Sequence, residues 1–203
     1  MAQRPVAPAP AKVRAFHPEE HATPDQYSPG DFILTHNAGF QARLIRFGQS
    51  LRFWGPDRKY TRWDHTAMIV SPDGAIIEAL GNGVKLSRLE KYQPTEYQLV
   101  KIDEILASPA DRFQVVAFAR WCLSQPYHWL TIASIILSLL TGCKFNFGFD
   151  GQCICSGLVA RALERTSVIF ERTPSHMMPA DLAKKFSVEP PPEGTSKGTI
   201  PRN

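Results

Sequence analysis

Residues 64–80 are DHTAMIVSPDGAIIEAL, two apolar runs separated by a short polar stretch. The four residues 71–74 have proline in second position and glycine in fourth, an arrangement that suits a type I turn. We therefore predict a β-hairpin with strands over 64–70 and 75–80.

The register of this hairpin determines which side chains meet. If residues 71–74 form the turn, Val70 pairs with Ala75, and further out Ala67 faces Glu78. Because side chains alternate along a strand, His65 and Glu78 then share one face. They are diagonal neighbours at roughly 7–8 Å between backbones, which two long side chains can bridge. A carboxylate there would fix the tautomer of the imidazole and stabilise its protonated form.

The remaining pattern indicates an α+β domain in which strands come early and helices late. Strands are predicted at residues 31–35 and 97–102, and helices around 40–47 and at 111–123, 152–165 and 181–186. Strands grouped before helices favour α+β over alternating α/β.

Composition limits the chain to one ordinary soluble domain with tails. The chain has 203 residues, 43% of them hydrophobic and 21% charged. Nine of the 17 prolines lie in residues 1–26 and 189–203, where large apolar side chains are scarce. We predict that both segments are disordered tails around a catalytic domain at 27–188.

Net charge, the N-terminal sequence and the cysteine content predict the kind of partner and the cellular compartment. A net charge of +4 without a run of basic residues argues against a nucleic-acid partner. The N-terminus has no apolar core of signal-peptide length, and four cysteines are too few for a disulfide scaffold. A cytoplasmic protein without a cofactor is expected, and its oligomeric state is left open.

Cys155 stands where the predicted helix at 152–165 opens, in the string CICSGLV. The thiolate is the nucleophilic form of cysteine, and a helix N-terminus or a neighbouring imidazolium favours it. The backbone N–H groups of the helix start could also stabilise an oxyanion on a substrate carbonyl. Ser156 and Gly157 keep the first turn small, and we predict that Ser156 contacts the substrate.

These pieces resemble the papain-like NlpC-type cysteine peptidase superfamily, in its circularly permuted branch of YiiX-like and lecithin retinol acyltransferase-like proteins. The matching stretches are GDFILTH, DHTAMIV, AIIEAL, GVKLSRLEKY, CSGLVARAL and TPSHMMPADLA, in the expected order over roughly 30–186. As in that branch, His65 precedes Cys155 in the chain.

The resemblance implies a papain-like fold in which the helix of the nucleophile packs on a small antiparallel sheet or barrel. It implies a triad of Cys155 as nucleophile, His65 as general base and Glu78 as orienting group, with Tyr127 lining the cleft. The activity would be that of a peptidase- or amidase-like cysteine hydrolase that acts through a thioester. The substrate would be a peptide, a peptidoglycan fragment or a lipid. Peptidoglycan peptidases often have aspartate before the cysteine, where this chain has Ile154, so a cell-wall dipeptidyl activity is not favoured.

Several alternatives stay open at this point. The same triad could serve a lipid acyltransferase or lipase, or Cys155 could be inert core in a non-catalytic binding module. Cys143, Cys153 and Cys155 with a histidine could hold zinc, although Cys-x-Cys is not the usual ligand spacing. We predict no metal site.

The uncharged stretch at 129–140, WLTIASIILSLL, is shorter than the roughly 20 apolar residues of a membrane span. Three interpretations remain: a buried core helix, an exposed surface for lipid or a partner chain, and a true span. Because apolar residues cover nearly every side of this stretch, we expect part of it to form a contact surface.

Overall fold

The computed structural model describes residues 11–37, 39–80, 83–123, 155–166, 168, 170 and 173–190. The described strands are β1 (Lys12–Phe16), β2 (Phe32–Thr35), β3 (His65–Ile69), β4 (Ala75–Leu80), β5 (Gly83–Arg88) and β6 (Tyr97–Lys101). The described α-helices are α1 (Phe40–Ser50), α2 (Pro109–Trp121), α3 (Cys155–Leu163) and α4 (Pro179–Lys185). Short 3-10 helices occupy Gly55–Arg62, Leu89–Tyr92 and Pro174–His176. The predicted α+β class is confirmed.

The strands form one open antiparallel sheet in the order β1-β6-β2-β3-β4-β5. Strand β5 lies at one edge and was not predicted, because its side chains from Lys85 to Arg88 are mostly exposed and Leu86 faces solvent. An edge strand of this kind lacks the alternation of buried and polar residues that marks a half-buried strand.

The hairpin of β3 and β4 has the predicted register. The Val70 amide donates to the carbonyl of Ala75 at 2.8 Å, and Met68 stands opposite Ile77. Gly74 closes the turn with a φ of +80°, which glycine adopts without steric cost. A Cβ atom at Gly74 would also lie 2.9 Å from the hydroxyl oxygen of Tyr27, so glycine is needed there for two reasons.

Each face of the sheet is covered by a different part of the chain. On one face, Met68 and Ile77 pack in a large apolar cluster that contains α3 and α4. On the other face, Ala67 packs in a smaller cluster that contains Phe16 and Tyr27 from the N-terminal segment. Each large side chain buried in these clusters stabilises the fold by about 1.5–3 kcal/mol.

The prediction of a disordered tail over residues 1–26 is wrong for the part that the structure describes. Strand β1 pairs with β6 along its whole length, and Phe16 stacks on Tyr97 with ring centroids 5.0 Å apart. The Ala22 amide donates to the Tyr97 hydroxyl at 2.8 Å. Most side chains of β1 are exposed, so its composition resembles a tail even though β6 satisfies its backbone.

A buried glutamine joins α1 to the segment that leads into β3. The Gln49 amide group donates to the carbonyls of Thr61 and Trp63 at 3.1 and 2.7 Å. Its amide oxygen accepts from the Ala180 backbone amide at 2.9 Å, at the start of α4. These three hydrogen bonds fix α1 and α4 against the residues directly before His65.

Several predictions fall outside the described residues. They are the disorder of residues 1–10 and 191–203, the position of Tyr127, and the contact surface at 129–140. Among the helices that the structure describes, none is long and apolar enough to cross a bilayer.

Candidate active site

His65 and Glu78 meet across the hairpin as the predicted register requires. His65 is the first residue of β3 and Glu78 lies within β4, and both side chains are buried. The Nε2 atom of His65 lies 2.9 Å from Oε2 of Glu78. Because a charged carboxylate can only accept, Nε2 carries the proton and donates it to this hydrogen bond.

Glu78 also accepts hydrogen bonds from Tyr92 and Lys91. The Tyr92 hydroxyl donates to Oε2 at 2.5 Å, and the Lys91 ammonium donates to Oε1 at 2.8 Å. Burial alone would raise the pKa of Glu78, but the hydrogen bond and charge of His65, followed by the Lys91 contact, hold that pKa well below its usual range. Glu78 is therefore a carboxylate at neutral pH.

Tyr92 is a site residue that the sequence analysis did not single out. It ends the 3-10 helix Leu89–Tyr92, and its ring stacks on the His65 ring with centroids 6.2 Å apart. Burial and the charge of Glu78 raise the pKa of Tyr92 well above its usual value, so its hydroxyl stays a proton donor. It is the last residue of the stretch GVKLSRLEKY, but its role depends on where β5 and the 3-10 helix return the chain to β4.

Cys155 comes to the same histidine from the other half of the chain. It begins α3, which packs against β3 and β4, and its side chain is within hydrogen-bonding reach of the His65 ring. Burial lowers the pKa of His65, but the hydrogen bond and charge interaction with Cys155, then those with Glu78, outweigh burial and raise it to about 10. The imidazole is therefore protonated at neutral pH. Since Nε2 binds Glu78, Nδ1 is the ring nitrogen left for Cys155.

The first described turn of α3 consists of small residues. Cys155, Ser156 and Gly157 are all buried there. The first N–H groups of an α-helix have no partner within the helix, so they can donate to a developing negative charge. Cys155 is the first described residue of α3 and lies beside the His65 imidazolium.

The Ser156 hydroxyl makes a structural contact. It is buried and donates to the Met177 carbonyl at 2.6 Å, which fixes α3 to the chain before α4. The oxygen of a donating hydroxyl can still accept a hydrogen bond, and the substrate contact of Ser156 stays a prediction. Tyr127 and Ile154 lie outside the described residues.

Asp64, directly before His65, belongs to a second buried polar cluster. Its carboxylate accepts from the Asn37 backbone and side-chain amides, both at 3.0 Å, and forms an ion pair with Arg46 of α1. These contacts tie the loop before α1, and α1 itself, to the start of β3. No role was predicted for Asp64 from the sequence.

Metal ligands do not come together in the part of the chain that the structure describes. No group of three histidine, cysteine, aspartate or glutamate side chains there could hold an ion. Cys143 and Cys153, two of the three cysteines considered for zinc, lie outside that part. Metal analysis of the purified protein would test the zinc alternative.

Comparisons with known proteins add no assignment. No protein-family model matches the chain, and a search among curated proteins finds no significant match. The candidate site therefore depends on the geometry of Cys155, His65 and Glu78 themselves.

Proposed function

We propose that this protein is a cysteine hydrolase that cleaves an amide or an ester through a thioester acyl-enzyme. One observation carries the proposal: a single buried imidazole, that of His65, contacts the Cys155 thiol on one side and the Glu78 carboxylate on the other. A nucleophile, a base and an orienting group in this order form the arrangement used in covalent acyl transfer.

The first half of the reaction forms the acyl-enzyme. The Cys155 thiolate attacks the substrate carbonyl carbon and forms the new C–S bond, and the carbonyl π electrons move to oxygen. The N–H groups at the start of α3 stabilise this oxyanion. When the carbonyl re-forms, the C–N or C–O bond breaks, and the His65 imidazolium gives its proton to the leaving group.

The second half regenerates the enzyme. His65, now neutral, accepts a proton from water as the water oxygen attacks the thioester carbonyl. Collapse of the second tetrahedral intermediate breaks the C–S bond, releases the carboxylic acid and restores the paired Cys155 and His65. Glu78 keeps the Nε2–H of the imidazole engaged throughout, so the other ring nitrogen always faces the reaction.

The finer description of the fold belongs to the same proposal. The histidine strand precedes the cysteine helix in the chain, and α3 packs against the antiparallel β3–β4 hairpin. Both features support a permuted papain-like domain. The activity proposed above, however, requires only the local arrangement of the three side chains.

The proposal is tested by trapping the acyl-enzyme. The purified chain is incubated with p-nitrophenyl acetate, and the acetylated residue is located by peptide mass spectrometry. We expect acetylation at Cys155, its loss in Cys155→Ser, and its retention in Cys122→Ala, a variant of the other described cysteine. Acetylation that is equal at all cysteines, or unchanged by His65→Ala, would contradict the proposal and favour a non-catalytic binding module.

A further inference from the structure

Helix α1 exposes its apolar residues to solvent. Phe40, Leu44 and Phe47 recur at intervals of four and three residues, so they lie along one face of the helix. Their side chains are 76%, 38% and 51% exposed, respectively. An amphipathic helix of a globular domain normally directs such a face into the core.

The opposite face of α1 is the one that packs on the protein. Ala42 and Gln49 lie roughly half a turn away from the apolar face, and both are buried. Gln49 makes its three hydrogen bonds there, and Arg46 forms its ion pair with Asp64. Rotating the helix to bury the phenylalanines would break all of these contacts. The outward direction of the apolar face is therefore fixed by the fold.

Trp54, after the end of α1, is a further exposed apolar side chain. It directly precedes the 3-10 helix Gly55–Arg62, and its side chain is 73% exposed, whereas the adjacent Phe53 is buried. Tryptophan is enriched where proteins meet the interface between water and lipid, because its ring is apolar and its N–H group is polar.

The same segment concentrates the positive charge of the chain. Residues 40–62 contain six basic residues and one acidic residue, a net charge of +5, whereas the whole chain carries +4. The basic residues are Arg43, Arg46, Arg52, Arg58, Lys59 and Arg62. Arg43 and Arg58 are exposed and form no ion pair with any other residue that the structure describes. Two uncommitted cations therefore accompany the exposed aromatic side chains.

We propose that α1 and the 3-10 helix after it, residues 40–62, dock on an anionic phospholipid bilayer. The helix would lie in the plane of the interface, with Phe40, Leu44 and Phe47 among the acyl chains and Arg43 and Arg58 at the phosphates. The charge favours this occupant over a second copy of the chain, because pairing two such surfaces would bring Arg43 and Arg58 of both copies together. The proposal does not depend on the chemistry of Cys155.

Vesicle co-sedimentation of the full chain tests this proposal. The vesicles are phosphatidylcholine alone, or phosphatidylcholine mixed with phosphatidylglycerol. We expect binding to the anionic vesicles to be at least roughly tenfold tighter and to weaken as salt is added. The double variant Phe40→Ser/Phe47→Ser, and separately Arg43→Glu/Arg58→Glu, should each lose roughly tenfold or more in affinity.

Phe113→Ser is the matched control, because this phenylalanine is 74% exposed on α2 and lies outside the cationic segment. It should bind like the unaltered chain. The proposal would be overturned if the chain bound neutral vesicles as tightly as anionic ones, or if neither the phenylalanine variant nor the arginine variant bound more weakly than the unaltered chain. A melting temperature that falls more in Phe40→Ser/Phe47→Ser than in Phe113→Ser would also overturn it, because the apolar face would then be packed within the protein. Self-association that the phenylalanine variants abolish would assign the face to a second copy.

Discussion

Asp64 and Glu78 are both buried carboxylates near His65, and each has a histidine as a neighbour, but only one of these histidines reaches a cysteine. Asp64 binds Asn37 and Arg46 and lies 3.8 Å from Nδ1 of His36, the same nitrogen that lies 2.6 Å from the Arg62 carbonyl. Glu78 binds His65, whose other neighbour is Cys155. Burial and full hydrogen bonding are common to both, so these two features do not mark a catalytic carboxylate. What sets Glu78 apart is that its histidine also has Cys155 as a partner.

The two clusters also hold different parts of the fold. The Asp64 cluster joins α1 and the loop before it to β3, so its loss should loosen the surface formed by residues 40–62. The Glu78 cluster joins β4, through Lys91 and Tyr92, to the histidine that faces α3. We therefore expect substitutions in both clusters to reduce stability, and only those around Glu78 to change the reactivity of Cys155.

The largest effect should come from removing either carboxylate. Glu78→Ala and Asp64→Ala each leave buried positive or donor groups without an acceptor, at a cost of about 3–5 kcal/mol in the free energy of unfolding. Urea denaturation measures this cost. The alkylation rate of Cys155, measured where each variant is folded, should fall in Glu78→Ala and stay near that of the parent in Asp64→Ala. The reverse result would exchange the assigned roles of the two carboxylates.

A smaller loss of stability should follow from Tyr92→Phe. This change removes one hydrogen bond to a charged carboxylate and keeps the ring that stacks on His65, so we expect a cost of about 1.5–3 kcal/mol. Thermal unfolding measures it, with Tyr27→Phe, another buried tyrosine, as control. A cost no larger than in the control would show that Tyr92 does not support Glu78.

The smallest expected effect is the pH dependence of the stability that Glu78 contributes. The folded pKa of Glu78 lies below its unfolded value of about 4.5, so its contribution to stability is complete above pH 4.5 and is lost as the pH falls towards the folded pKa. The difference in melting temperature between the unaltered chain and Glu78→Gln should therefore shrink from pH 7 to pH 3. A constant difference would mean that Glu78 is not charged in the folded protein.

The sequence was most informative where local rules set the geometry. The turn at 71–74 fixed the hairpin register, and alternation along the strands then placed His65 against Glu78, as the 2.9 Å contact between them confirms. The helix at Cys155 was predicted because its apolar residues recur at helical spacing. Such features depend on neighbours in the chain, so a single sequence contains them.

The residues that were missed depend on contacts between distant segments. Tyr92 joins the site only because β5, itself unpredicted, returns the chain to β4, and β1 is ordered only because β6 pairs with it. The direction in which the apolar face of α1 points could not be predicted, for the same reason. Its periodicity predicted an amphipathic helix, whereas the buried hydrogen bonds of Gln49 decide which face packs inward.

The rate of alkylation of Cys155 by iodoacetamide at pH 7, followed by peptide mass spectrometry, decides whether His65 activates this thiol. Cys122, buried at the end of α2, is the internal reference in the same sample. We expect Cys155 to react faster than Cys122, and His65→Ala to slow Cys155 by roughly tenfold or more, because the imidazolium that stabilises the reactive thiolate is then lost. If Cys155 reacts no faster than Cys122, or if its rate is the same with and without His65, the proposed catalytic site does not exist.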